Sequence, residues 1–100
     1  MATLDRREEA FEAKFAHDEE RAFKARARAL RMLGLWAAEK RGETGEAAEE
    51  YARALIEADI VAPDAAFDKL VRDLAGRGVD SRQIREKRDA LFAIVQRVSA

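Results

Sequence analysis

His17 stands beside Asp18, Glu19 and Glu20, and on a helix His17 and Glu20, three residues apart, share a face. This is the one constellation in the chain that could be drawn as a metal site. It is a poor one. A closed site needs more than a single histidine and flexible carboxylates, and the sequence holds no second histidine and no cysteine. A solvated helix face or a partner contact is the expected role. Ser81 and Ser99 are the only serines, and neither has a base near it in the pattern. No glycine-rich phosphate loop, dinucleotide fingerprint or nucleophile elbow occurs. The chain therefore reads as a non-enzyme with no cofactor and no metal. A third group, Arg21, Lys24, Arg26, Arg28 and Arg31, places five cations in eleven residues and could meet phosphates. An overall pI of about 5.9 and an adjoining acidic segment argue against nucleic acid. The cations suit an acidic helix of the same chain or an acidic partner better.

Helices must position all of these residues. Helix one starts at the Asp5–Glu8 capping pattern and stops at Gly42 after Lys40 and Arg41, whose charges suit the negative end of the helix dipole. Gly34 lies inside it, flanked by Leu33, Leu35 and Trp36, and the helix is expected to continue through it. Helix two spans Thr44 to Val61, with Thr44 as N-cap and Ala48, Tyr51, Ala52, Leu55 and Ile56 facing inward. Pro63 closes it. Helix three spans Asp64 to Ala75, with Phe67, Leu70, Val71 and Leu74 inward, and Gly76 and Gly78 end it. Helix four starts on the Asp80–Gln83 capping pair and turns Ile84, Leu91, Val95 and Val98 inward, with Arg88 at the rim. Glu49–Arg53, Arg82–Glu86 and Arg85–Asp89 read as pairs one turn apart.

The lengths do not match. Helix one would measure roughly 55 Å at 1.5 Å per residue, and helices two and four roughly 27 Å each. The shorter helices can cover only half of it. Leu30, Leu33 and Trp36, with Phe23, are assigned to the covered half. Residues 1–20 form an arm, and residues 21–100 form the globular domain. The expected fold class is all-α, a four-helix bundle-like domain with a long first helix and a protruding N-terminal arm. The arm carries one narrow apolar stripe: Leu4, Phe11, Phe15 and Ala22 fall within about 40° of one another on a helical wheel. Glu8, Glu12, Lys14, His17, Asp18 and Glu19 flank it. Three large apolar groups in twenty residues do not offset the entropy of ordering, so the arm should fray when free and become helical when docked. The alternative is that it folds back and buries Phe11 and Phe15 in the core.

Composition fits that outline. The chain has 100 residues, 48% hydrophobic by type, of which 22 are alanine. The 26 large apolar side chains suffice for one small core. No apolar run approaches the roughly 20 residues a bilayer span needs, and the charged N-terminus is no secretory signal. The net charge of −1 conceals −4 in residues 1–20, +6 in residues 21–41 and −3 beyond. Such segregation points to an interaction surface.

The string Phe11-Glu-Ala-Lys-Phe-Ala-His-Asp-Glu-Glu20, with Phe23-Lys24 and Leu33-Gly-Leu-Trp-Ala-Ala-Glu-Lys40, resembles the zeta subunit family, small ATPase inhibitors of alphaproteobacterial F-type ATP synthases. Thr44-Gly45 and Tyr51-Ala52 fit the same pattern, and the likeness weakens after Asp59. The resemblance implies a four-helix globular part and an N-terminal inhibitory segment that inserts as a helix at a catalytic interface between the alpha and beta subunits of the ATPase head, with gamma a further candidate contact. On this chain the segment maps to residues 1–20. Phe11 and Phe15 are its apolar anchors, joined by Leu4, and Glu8, Glu12, Lys14, His17, Asp18 and Glu19 are its polar flank. A cytoplasmic location, peripheral to the inner membrane through the synthase and without membrane insertion, goes with that role. A protein-interaction adaptor of the same fold without inhibitory activity is the alternative.

Overall fold

The computed structural model describes the backbone of residues 2–99 and the side chains of residues 14 and 16–98. Four helices follow in order: α1 (Ala2–Lys40), α2 (Gly45–Val61), α3 (Ala65–Asp73) and α4 (Ser81–Ser99). Among the described residues there is no strand, so the all-α expectation holds. The principal extents are 64 × 24 × 23 Å and the radius of gyration is 17.4 Å. A compact chain of this length would have a radius near 13 Å. The elongation comes from α1, whose 39 residues span roughly 58 Å.

Each end of α1 within the bundle has a physical cause. Gly42 adopts φ 76°, the left-handed conformation that side chains resist. That turn lets Glu43 N–H donate to the Ala38 carbonyl at 2.9 Å and Gly42 N–H to the Glu39 carbonyl at 3.0 Å. Carbonyls of the last turn thus find acceptable donors. Gly34 serves a different purpose. A Cβ built on it would lie 2.6 Å from Ala52 Cα. The missing side chain lets the α1 and α2 backbones touch, so the helix runs through Gly34 without interruption.

From that contact α2 runs antiparallel to α1: Gly34 meets Ala52 and Arg26 meets Asp59. Helix α4 is antiparallel to α1 as well. The Arg77 guanidinium donates to the Arg41 carbonyl at one end, and Arg26 stacks on Phe92 at the other. Helix α3 bridges α2 and α4. The core joins Leu30, Leu33, Ala37 and Ala38 of α1 to Tyr51 and Leu55 of α2, Ala66 and Leu70 of α3, and Ile84 and Leu91 of α4. Leu74, just past α3, is also fully buried.

The capping pair of α4 forms as expected. Asp80 N–H donates to Gln83 Oε1 at 2.9 Å, and Gln83 N–H donates to Asp80 Oδ1 at 2.8 Å. Thr44 holds the N-cap position of α2 but makes no side-chain capping bond. Other expectations need correction. Phe23 is 56% exposed and Val98 76% exposed, although both were assigned inward. Val71 is also exposed, and Ala66 is buried beside Leu70 in that helix instead. Of the expected pairs one turn apart, Arg82–Glu86 forms at 3.1 Å. Glu49 instead meets Arg31 of α1 at 2.6 Å, and Asp89 meets Arg88. A charge on a neighbouring helix outcompetes one on the same helix when packing brings it nearer. Arg88 and Arg85 both lie over the Phe67 ring, at 5.4 and 5.7 Å. The Arg88 side chain therefore covers apolar surface at the rim, as its position suggested.

Candidate partner-binding surface

On α1 the first described side chain to be buried is Ala29. Lys14, His17, Asp18 and Glu19 are all exposed. They belong to the polar flank expected of the arm. Leu4, Glu8, Phe11, Glu12 and Phe15 lie outside the described residues, as does the Asp5–Glu8 start signal. Among the described residues no group of three His, Cys, Asp or Glu side chains is placed to hold a metal ion.

The basic stretch is used largely within the chain. Arg26 Nε donates to Asp59 Oδ2 at 2.6 Å and Nη2 to Oδ1 at 2.7 Å. The two parallel bonds match the guanidinium fork to the carboxylate. They also hold the Arg26 pKa above its ordinary value, against burial, which acts in the opposite sense. The same guanidinium lies 5.5 Å from the Phe92 ring centre. Arg26 thereby ties α1, α2 and α4 together where the bundle ends. Arg31 reaches Glu49 of α2, so two of the five cations neutralise that acidic helix. Lys24 pairs with Glu20 at 3.0 Å. That hydrogen bond and the accompanying charge attraction hold the Glu20 carboxyl below its usual range.

Beside Arg26 a groove opens between α1 and the last turns of α4. Its volume is about 480 Å³. Ala22, Ala25 and Ala29 form one wall, Phe92 and Val95 the other, and Asp18 and Gln96 sit at its mouth. Alanine at three positions of α1 leaves room that larger side chains would fill. Ala22 is also the last member of the apolar stripe read from the sequence. The face of α1 that packs on α4 is thus in register with the stripe of Leu4, Phe11 and Phe15.

Sequence reasoning missed two features here. The groove follows from three alanines of α1 set opposite Phe92 and Val95 of α4, and a pairing must be known before that is visible. The exposure of Phe23 depends on a pairing too. From the Gly34–Ala52 contact, α2 has nine more residues before Val61 ends it, so α2 does not reach as far as Phe23.

At the opposite end of the bundle the side chains are tied down. The Tyr51 hydroxyl donates to Asp73 at 2.9 Å. Arg41 and Lys69 lie over its ring, at 4.7 and 5.0 Å. Burial, then the hydrogen bond to Asp73, pushes the Tyr51 pKa well above its ordinary value. Burial by itself would raise Asp73, but hydrogen bonds from Lys69 and Tyr51, with the nearby Arg41 charge, leave its carboxyl below the usual range. These partners make a structural lock rather than a site.

The family model described as ATPase inhibitor subunit zeta matches residues 1–97. No curated protein and no solved structure matches the chain.

Proposed function

The chain belongs to the ATPase inhibitor subunit zeta family, and from that membership we propose that it inhibits the F-type ATPase by inserting its N-terminal arm, residues 1–20, as a helix at a catalytic alpha/beta interface. A subunit of this family is regulatory rather than an enzyme, and the assembly it associates with is the F-type ATP synthase. No helix among the described residues is long and apolar enough to cross a membrane.

One observation carries the proposal. Helix α1 begins at Ala2, yet its first buried described side chain is Ala29. The bundle spends none of its core on residues 14 or 16–28, and the helix itself is far longer than its neighbours. A rod with a narrow stripe at Leu4, Phe11 and Phe15 fits a groove between two partner surfaces. Glu8, Glu12, Lys14, His17, Asp18 and Glu19 then serve as its polar edges.

Rotary catalysis requires each catalytic interface to open and close in turn. A helix wedged in one of them stops the cycle only by binding one conformation better than the others. An arm that orders as it binds gives up part of its contact energy to that ordering, in return for rapid engagement. The globular part, residues 21–100, holds the arm in line and limits how far it enters.

Deletion of residues 2–19 tests this directly. The shortened protein should keep the melting temperature of the full chain and lose inhibition of ATP hydrolysis by the purified ATPase head. Undiminished inhibition by the shortened protein would refute arm insertion.

A further inference from the structure

The five most exposed large apolar side chains among the described residues are Val61 (83%), Val98 (76%), Ile60 (64%), Phe23 (56%) and Ile94 (44%). All five gather at the end of the bundle through which α1 leaves. The Arg26–Asp59 pair sets the level: Ile60 and Val61 follow Asp59 directly, and Phe23 stands one turn before Arg26. On the other flank Val95 and Gln96 of α4 line the groove with Asp18 and Ala22 of α1. Ile94 and Val98 bracket those two positions. The opposite end carries the Tyr51–Asp73 bond, the Arg41–Glu43 pair and the Asp80–Gln83 cap. Single exposed apolar residues are ordinary on a protein surface. Five toward one end of the bundle point to an interaction patch.

Geometry says what covers it. A rod that enters a partner brings the end of the body it leaves against that same partner. We infer that this apolar collar docks on an apolar rim of the ATPase head, around the opening that receives the arm, and that the groove beside Phe92 takes a side chain of that rim. The inference rests on the arm-insertion reading. A second copy is a poorer occupant, because two collars meeting end to end would each be obstructed by the other's rod. The collar adds affinity and sets the depth of insertion, while the arm supplies the block. Because both are parts of one chain, collar binding raises the effective concentration of the arm at its cleft.

The test uses the full chain, the purified F-type ATPase head, and lysine in place of two collar valines, V61K with V98K. Both positions are exposed at helix C-termini, where a cation is tolerated, so the melting temperature should hold. The concentration for half-inhibition should rise about tenfold or more, with maximal inhibition unchanged. The V61E/V98E chain should weaken in the same direction. An effect of only one sign of charge would overturn an apolar collar. Half-inhibition at the wild-type concentration in both variants would overturn the collar and leave arm insertion standing. So would variants that change only the self-association seen by sedimentation. Conversely, a chain with Phe11→Ala and Phe15→Ala should lose maximal inhibition and keep weak, collar-dependent binding. Full inhibition by that chain would overturn arm insertion and leave the collar as the interface. A wild-type chain that fails to bind the head would overturn both.

Discussion

Between Ala29 and Ala38 the first helix buries Ala29, Leu30, Leu33, Gly34, Ala37 and Ala38, whereas none of its described side chains between Lys14 and Arg28 is buried. The two stretches share one continuous backbone and a high alanine content. They differ in what stands opposite. The first is sandwiched by α2 and α4, and its alanines and glycine bring the backbones close. The second largely runs past the end of α2 and faces α4 alone, with Phe92, Val95 and Gln96 opposite, and there its alanines leave a groove. Alanine thus has two meanings in one helix: close packing where two partner helices flank it, and a groove where only one does. The stability of the molecule should reside in the first stretch, and the proposed inhibition in the segment that precedes residue 21.

Leu33→Ala offers the hardest test of that division. Leu33 is 1% exposed and belongs to the core shared by the four helices. Truncating a buried leucine costs about 2–5 kcal/mol. Urea unfolding should show a loss in that range, with inhibition preserved under conditions where the variant remains folded. A variant that stays fully folded yet no longer inhibits would break the separation.

Gly34→Ala makes a sharper test with a smaller effect. In an exposed helix this change would stabilise by about 1 kcal/mol through propensity. Here the new methyl meets the Ala52 backbone, and overpacking costs about 1–3 kcal/mol. The net expectation is a loss of up to about 2 kcal/mol, read as a lower midpoint in urea. A gain in stability would show that the two helices can part without cost, and close approach would no longer explain the glycine.

The helices and their stops were legible in the sequence because each rests on local chemistry. Gly42, Pro63 and the Asp80–Gln83 pair act within a turn of where they stand. The protrusion of α1 was legible too, since rise per residue turns a count into a length. Partner choice was not. Glu49 has Arg53 one turn away, yet it binds Arg31, 18 positions earlier. Phe23 and Val98 carry apolar side chains at helical spacing, but periodicity reports which face a residue occupies and not whether a neighbour extends that far. The anchors proposed for the arm, Phe11 and Phe15, rest on their spacing and the family likeness, and the role proposed for them belongs to a complex rather than to the free fold.

The smallest expected effect concerns pH, and it lies wholly at the locked end of the bundle, far from the collar. Tyr51 has a raised pKa in the fold, chiefly from burial and then from its bond to Asp73. A group raised in this way contributes stability below its unfolded pKa of about 10 and loses it as pH climbs toward the folded value. Asp73 is lowered, so its contribution is present above about pH 4 and fades as pH falls through the folded value. The full chain should therefore melt at a steady temperature near neutrality and decline at both extremes. Tyr51→Phe removes one hydrogen bond and should cost about 1 kcal/mol at pH 7. Above pH 10 its melting temperature should fall less steeply than that of the parent chain, because no phenol remains to ionise on unfolding. In acid it should decline by less than the parent chain, since Asp73 has lost one of the donors that held its carboxylate and its folded value lies nearer the unfolded one. Parallel curves for the two proteins would show that Tyr51 is not what couples the bundle to alkaline pH.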